Sequence, residues 1–341
     1  MLVDRHAACC SYGPMATSVT WLCGVLAVAG CGNHLTEPTD HHAGYRLMQT
    51  GEIKLAVWYP TAAEESSFAY TTDLSSEIAI DAPIDPSQRW PLVVFSHGLT
   101  GCGIQSVFLT ETLARAGYVV VAPDHRDALC TSDGAPNTRP ASSGPSFLDP
   151  NAWSDQSYVD RHDDIIAVLD AMLGPGELAS AIDPARVAMM GHSLGGYTAH
   201  GITGAWSTWK DARVKSALLL SPYLQPYLTK ATVAQVHAPL MFQGAEGDVF
   251  ITPTLEGSAG VYALANAPKY FLKLRGGNHF EWTNAVCGSH TTVASCLTVS
   301  TNAALITNYA IAFFEKTIGD EDPAILQNPD PALSAWQAQQ N

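Results

Sequence analysis

The sequence predicts an α/β fold with a mostly parallel central sheet and helices on both faces. Short apolar runs alternate with helix-like segments along most of the chain. The runs in the middle are apolar almost throughout, as strands covered on both faces must be. At 341 residues, with 47% hydrophobic and 14% charged residues, the chain can bury one large core. No internal repeat is apparent.

The first segment reads as an address rather than as structure. Val19–Gly30 is apolar, has the length of a signal h-region and is too short to span a bilayer. Val28-Ala29-Gly30-Cys31 resembles a bacterial lipobox, in which Cys31 would carry the lipid. The n-region departs from the pattern, because its one basic residue, Arg5, is offset by Asp4. Export is the expectation for residues 1–31, with lipid anchoring and plain secretion as its two forms. Residues 32–44 read as a polar linker, 45–320 as the folded domain and 321–341 as a C-terminal tail.

Within the domain, the strand-like runs are Ile53–Tyr59, Leu92–Phe95, Val119–Ala122, Val187–Met190, Ser216–Leu220, Leu240–Gln243 and Tyr270–Leu274. Helices are predicted over Val107–Ala116, Asp160–Leu173, Tyr197–Thr203, Pro253–Ala267 and Ala303–Ile318. In Asp160–Leu173 the apolar stripe is Ile165, Ile166, Val168, Leu169 and Met172, with the charges assigned to the opposite side. The least regular stretch, Asp127–Trp153, is rich in Gly, Pro, Ser and Asp. It either lines the entrance to a site or makes a passive surface excursion.

The motif that carries chemistry is Gly191-His192-Ser193-Leu194-Gly195, directly after the run Val187–Met190 and before a helix start. A G-x-S-x-G pentapeptide occurs by chance in about one chain in ten of this length. The strand–turn–helix context makes it a nucleophile elbow, whose tight turn excludes side chains at the flanking positions. The helix then presents its positive end to Ser193. Such a serine points to acyl transfer.

In an α/β-hydrolase the partners follow in the order serine, acid, histidine. Asp248 falls in the loop after Leu240–Gln243, and His279 in the Gly-rich turn after Tyr270–Leu274. Both therefore lie beyond strand carboxyl ends, where open α/β sheets place their sites. Glu246 competes with Asp248 for the role of acid, and a helix-capping turn is the alternative reading of Asp248. His192 reads as packing and His125 as structural. The backbone N–H groups of Leu194 and of Leu99, in Ser96-His97-Gly98-Leu99, are the candidate oxyanion donors.

Beyond Cys31 the chain carries Cys102, Cys130, Cys287 and Cys296. An even set in an exported chain points to two disulfides. Of three pairings, Cys287–Cys296 closes a local loop and Cys102–Cys130 would tie the loops after two neighbouring strands. Free thiols are the alternative. Neither C-x-x-C nor H-E-x-x-H spacing is present, so no metal site is expected. The formal net charge of −15 argues against a nucleic-acid partner and against attraction to anionic membranes.

Ser96-His97-Gly98-Leu99, Asp124-His125-Arg126-Asp127, Gly191–Gly196 and Ala56-Val57-Trp58-Tyr59-Pro60-Thr61 together resemble the platelet-activating-factor acetylhydrolase family and its dienelactone-hydrolase-like relatives. Glu246–Pro253 and Gly276-Gly277-Asn278-His279 are more similar to the acid and base segments of bacterial cutinases and polyester hydrolases, which also carry a disulfide near the C-terminus. The resemblance spans about Ile53 to Lys316. It implies an α/β-hydrolase fold and a cofactor-free serine carboxylesterase. The substrates it implies are short-acyl esters or polyester, small or polymeric, with lipase or phospholipid-esterase activity as the alternative. Two departures stand out. The acetylhydrolase family places its acid where this chain has Ser221-Pro222-Tyr223. The cutinase group often has an aromatic donor at Leu99 and a tryptophan at Tyr223. Tyr223 is accordingly the candidate for stacking on a bound acyl or aromatic group, with rim packing as the alternative.

Overall fold

A computed structural model describes residues 41–141, 144–176 and 178–341. The expected signal segment, Cys31 and most of the linker lie outside the described residues. Among the described residues, eleven strands form one sheet. In chain order they are β1 His42–Thr50, β2 Ile53–Thr61, β3 Ser66–Ala69, β4 Ser75–Ile80, β5 Trp90–Ser96, β6 Val119–Pro123, β7 Ile182–His192, β8 Ser216–Leu220, β9 Leu240–Ala245, β10 Lys269–Leu274 and β11 Ala335–Gln339. The helices are α1 Val107–Arg115, α2 Val159–Leu173, α3 Leu194–His200, α4 Gln225–Thr229, α5 Thr252–Leu255, α6 Val261–Leu264, α7 Val293–Val299 and α8 Thr301–Ile318.

The spatial order is β11-β10-β9-β8-β7-β5-β6-β2-β1-β4-β3. The block from β6 to β10 is parallel throughout. Antiparallel strands flank it, β2 against β6 and β11 against β10. This is the α/β-hydrolase architecture. All seven strand-like runs fall on strands, because each is largely buried on both faces and so is mostly apolar.

Side chains alternate between two cores, as a strand's period of two requires. Val93, Phe95, Val120, Met190, Leu218, Met241 and Leu272 pack with α1 and α8 on one face. Leu92, Val94, Val121, Met189, Leu219, Phe242 and Phe271 pack with α2 and α3 on the other.

The structure departs from the sequence expectations at the margins. Strand β1 begins at His42, so the end of the expected linker belongs to the sheet, paired residue for residue with β2. Residues 321–341, expected as a tail, contribute β11, with Leu272 opposite Trp336. The Trp336 ring lies 5.0 Å from Tyr309 and 6.0 Å from Tyr270. The helix expected over Pro253–Ala267 is two short ones, α5 and α6, interrupted around Gly257 at φ +77°. A left-handed residue cannot continue a right-handed helix.

Cys102 is bonded to Cys130 and Cys287 to Cys296. The first bond links the loop after β5 to the long segment after β6, across 28 residues. By the chain-entropy model a loop of this length is worth about 3–4 kcal/mol. We expect Cys130→Ser to lower the unfolding free energy by about 2–4 kcal/mol in urea, with a steeper slope because the unfolded chain is freed to expand. A shift below about 0.5 kcal/mol would show that the bond does not constrain the unfolded chain.

Candidate active site

Ser193 sits between the end of β7 and the start of α3 with φ 55° and ψ −114°. A non-glycine residue held there carries strain of about 1–3 kcal/mol. Close packing leaves no alternative path. A Cβ on Gly191 would meet the Gly195 carbonyl at 2.1 Å, and one on Gly195 would meet the Ser96 carbonyl at 1.9 Å. The Ser193 N–H donates to Leu220 and its carbonyl accepts from Tyr223, both at 3.0 Å, so β8 and its loop brace the turn.

His279 and Asp248 converge on this serine from the loops after β10 and β9. The Ser193 hydroxyl lies 2.9 Å from His279 Nε2. On the far side of the ring, Nδ1 lies 2.8 Å from Asp248 Oδ2. Three segments distant in sequence thus form one hydrogen-bonded file at the carboxyl edge of the parallel strands. Asp248 is buried, whereas His279 is partly open to solvent. Burial by itself raises the Asp248 carboxyl. The bonds from His279 and Ser221, with the Ile251 N–H at 3.3 Å, outweigh it and hold the group below its ordinary value. Glu246, the competing acid, points elsewhere. It is exposed and bonds Ser334 and the Gly276 N–H.

Ser221 is the site residue that sequence reasoning did not single out. Its hydroxyl bonds Asp248 Oδ2 and lies 2.9 Å from His279 Nδ1. It occupies the position after β8 where the resemblance led one to look for an acid. A serine at the end of an apolar strand gives no signal in sequence. Only the convergence of β8, β9 and β10 reveals its contacts.

His192 packs as expected, and it also bonds. Its ring lies 4.9 Å from that of His279, and Nε2 donates to the His279 carbonyl at 2.8 Å. Gln105 completes a bridge. Its Oε1 accepts the Gly98 N–H at 3.0 Å and its Nε2 donates to His192 Nδ1 at 3.1 Å. Burial, with His279 beside it, pushes His192 down to about 3, so it stays neutral and fixed in one tautomer at neutral pH.

The N–H of Leu194 is the first in α3 and has no acceptor within that helix. Leu99 follows Gly98 in the loop after β5 and is 41% exposed. Other exposed apolar side chains adjoin the same residues: Val249 and Phe250 follow Asp248, and Phe280 follows His279.

Tyr223 does not offer an open stacking face. It is buried, its hydroxyl donates to the Phe147 carbonyl at 2.8 Å, and its ring packs 4.7 Å from Phe147 and 5.0 Å from Trp153. The residues that cover it come from the irregular stretch Asp127–Trp153. Its part around residues 137–139 is pinned. Asn137 donates to the carbonyls of His125, Arg126 and Ala128, and Arg139 pairs with Asp164 on α2. Among the described residues no group of three or more His, Cys, Asp or Glu is placed to hold a metal ion.

A family model described as PET hydrolase-like matches residues 98–300. A second, described as platelet-activating factor acetylhydrolase, isoform II, matches residues 30–138. The chain is 25% identical to a bis(hydroxyethyl) terephthalate hydrolase of Streptomyces coelicolor, over 76% of this chain and 77% of that one. It is 29% identical to cutinase est2 of Thermobifida alba, over 58% of this chain and 56% of the cutinase, so it spans little more than half of that relative. Among solved structures, a ferulic acid esterase from Streptomyces cinnamoneus superposes with a TM-score of 0.65 at 21% identity, covering 87% of this chain and 96% of the esterase. That likeness bears on the fold alone.

Proposed function

The chain belongs to the PET hydrolase-like family and is a carboxylic ester hydrolase, and from that premise we propose that Ser193, His279 and Asp248 carry the reaction through an acyl-enzyme. The observation behind this reading is the file of contacts at 2.9 and 2.8 Å from hydroxyl through imidazole to carboxylate. His279 Nε2 takes the Ser193 proton as Oγ attacks the ester carbonyl. The carbonyl electrons move onto oxygen, which receives the N–H bonds of Leu99 and Leu194. Collapse expels the alcohol, protonated by His279. Water activated by the same imidazole then releases the acid and restores the serine. Asp248 keeps the tautomer with its proton on Nδ1 and stabilises the imidazolium. Every step uses groups of this chain.

The substrate class is read from the exposed apolar side chains that adjoin the site residues in the chain. Leu99, Val249, Phe250 and Phe280 are exposed side chains next to catalytic positions, and they favour an apolar ester over a charged one. Short-acyl esters and polyester chains fit this rim. The match of residues 30–138 to the acetylhydrolase model keeps phospholipid esters as a second reading. Two disulfides favour work in an oxidising compartment, hence export. Lipid attachment at Cys31 remains part of this proposal.

The test is kcat/KM across p-nitrophenyl esters of increasing acyl length, alongside product release from a polyester film and from short-chain phospholipid vesicles. The expected result is a maximum at two to about six carbons and measurable film hydrolysis. Preference for the vesicle substrate would replace this reading with the phospholipid one. Absence of ester turnover by folded protein would reject both.

A further inference from the structure

Arg161, on α2, has no exposed surface. Its guanidinium donates to the His97 carbonyl at 2.7 Å and to the Gly98 carbonyl at 3.1 Å. Asp127 clamps it from the other side, Oδ1 at 2.9 Å from Nε and Oδ2 at 2.7 Å from Nη2. The same carboxylate accepts the Thr100 N–H at 3.0 Å. One buried ion pair therefore bonds residues 97, 98 and 100. It leaves the Leu99 N–H alone.

The geometry of the peptide unit gives this omission a meaning. In a planar trans amide the C=O and N–H point in opposite directions. The Gly98 oxygen is fixed by three donors: Arg161, the His97 imidazole at 2.7 Å and the Gly101 N–H at 3.1 Å. The N–H of the same unit belongs to Leu99, so it must point away from Arg161 and out of the buried cluster. Donation to a carbonyl also polarises the amide and strengthens its N–H as a donor. Leu194 needs no such device, because the start of α3 orients its N–H. Stability is a poor alternative explanation, since a buried ion pair holds little advantage over packed apolar residues of similar volume. Burial alone would raise the Asp127 carboxyl, but the adjacent guanidinium overrides this and keeps it well below the ordinary carboxylate range.

We propose that Arg161 is a positioning residue for ester hydrolysis: held by Asp127, it grips the Gly98 carbonyl and thereby aims the Leu99 N–H at the oxyanion. The proposal rests on Leu99 and Leu194 being the oxyanion donors.

Arg161→Gln and Arg161→Lys test it, with rates expressed per site titrated to completion by a fluorophosphonate. Loss of one oxyanion donor lowers kcat by about 10²–10³-fold, so misaiming one of two should cost about 10- to 100-fold. For Arg161→Gln we expect that loss in kcat on p-nitrophenyl butyrate, with KM within about twofold. Affinity for an alkyl boronic acid, whose adduct with Ser193 is tetrahedral and anionic, should fall by the same factor. Arg161→Lys, which keeps the cation, should recover part of both. A merely structural Arg161 would lower the thermal midpoint and the number of titrated sites while leaving kcat per site unchanged, and that result would overturn the proposal. Should neither Arg161 variant fold, Asp127→Asn must show the same paired loss of kcat and boronate affinity, or the proposal falls. A wild-type chain that the fluorophosphonate does not label at Ser193 would remove the serine reading itself, and this inference with it.

Discussion

Ser193→Ala is expected to lower kcat for p-nitrophenyl acetate or butyrate by about 10⁶-fold while the protein stays folded. The size of the loss follows from the file of groups. Without the hydroxyl, His279 has no nucleophile to deprotonate, and the rate that remains is that of water beside the oxyanion donors. Stability should change little. The hydroxyl makes one hydrogen bond, to His279, worth about 1 kcal/mol net. The elbow itself is braced through backbone groups, the Ser193 N–H to Leu220 and its carbonyl from Tyr223. Circular dichroism and the thermal midpoint should therefore match the parent within about 4 °C. A folded variant retaining more than about 1% of parental kcat would remove Ser193 from the reaction.

What could be read from the sequence, and what could not, divides along a physical line. Strands β5 to β10 were legible because burial on both faces makes their central runs mostly apolar. The outer strands β1, β3, β4 and β11 were not. Exposed positions interrupt each of them, and the identity of such a strand can depend on a neighbour far away in the chain, as Trp336 depends on Leu272. The convergence of Ser193, Asp248 and His279 was legible because each follows a strand end, in the order serine, acid, histidine. Arg161 was misread for an instructive reason. The helical pattern placed the charges of α2 opposite its apolar stripe, yet Arg161 and Asp164 lie on the same face as Ile165, Val168 and Met172 and are buried with them. Both are satisfied by partners that no local pattern announces, the carbonyls after β5 for Arg161, and His125 and Arg139 for Asp164. Sequence could not decide between stacking and packing for Tyr223, since Phe147 and Trp153, which pack on it, lie some seventy residues upstream.

Asp248→Asn should lower kcat by about 10⁴-fold, and Glu246→Gln by less than about twofold. The two acids stand two residues apart, but only one faces the imidazole. An asparagine at 248 can turn its amide N–H₂ toward His279 Nδ1, which favours the tautomer with the proton on Nε2, where it cannot accept from Ser193. The Ser221 hydroxyl, 2.9 Å from Nδ1, offers a substitute acceptor. It is neutral, however, and cannot balance the imidazolium that forms as Ser193 attacks, so it should not rescue the rate. The double variant Ser221→Ala with Asp248→Asn separates these effects. If Asp248 supplies the charge and Ser221 only steadies that carboxylate, the double loss should equal that of Asp248→Asn within about threefold. A loss under about tenfold for Asp248→Asn would mean that orientation by Ser221 suffices. A large loss for Glu246→Gln would instead require its loop to swing from Ser334 and Gly276 toward the imidazole during turnover.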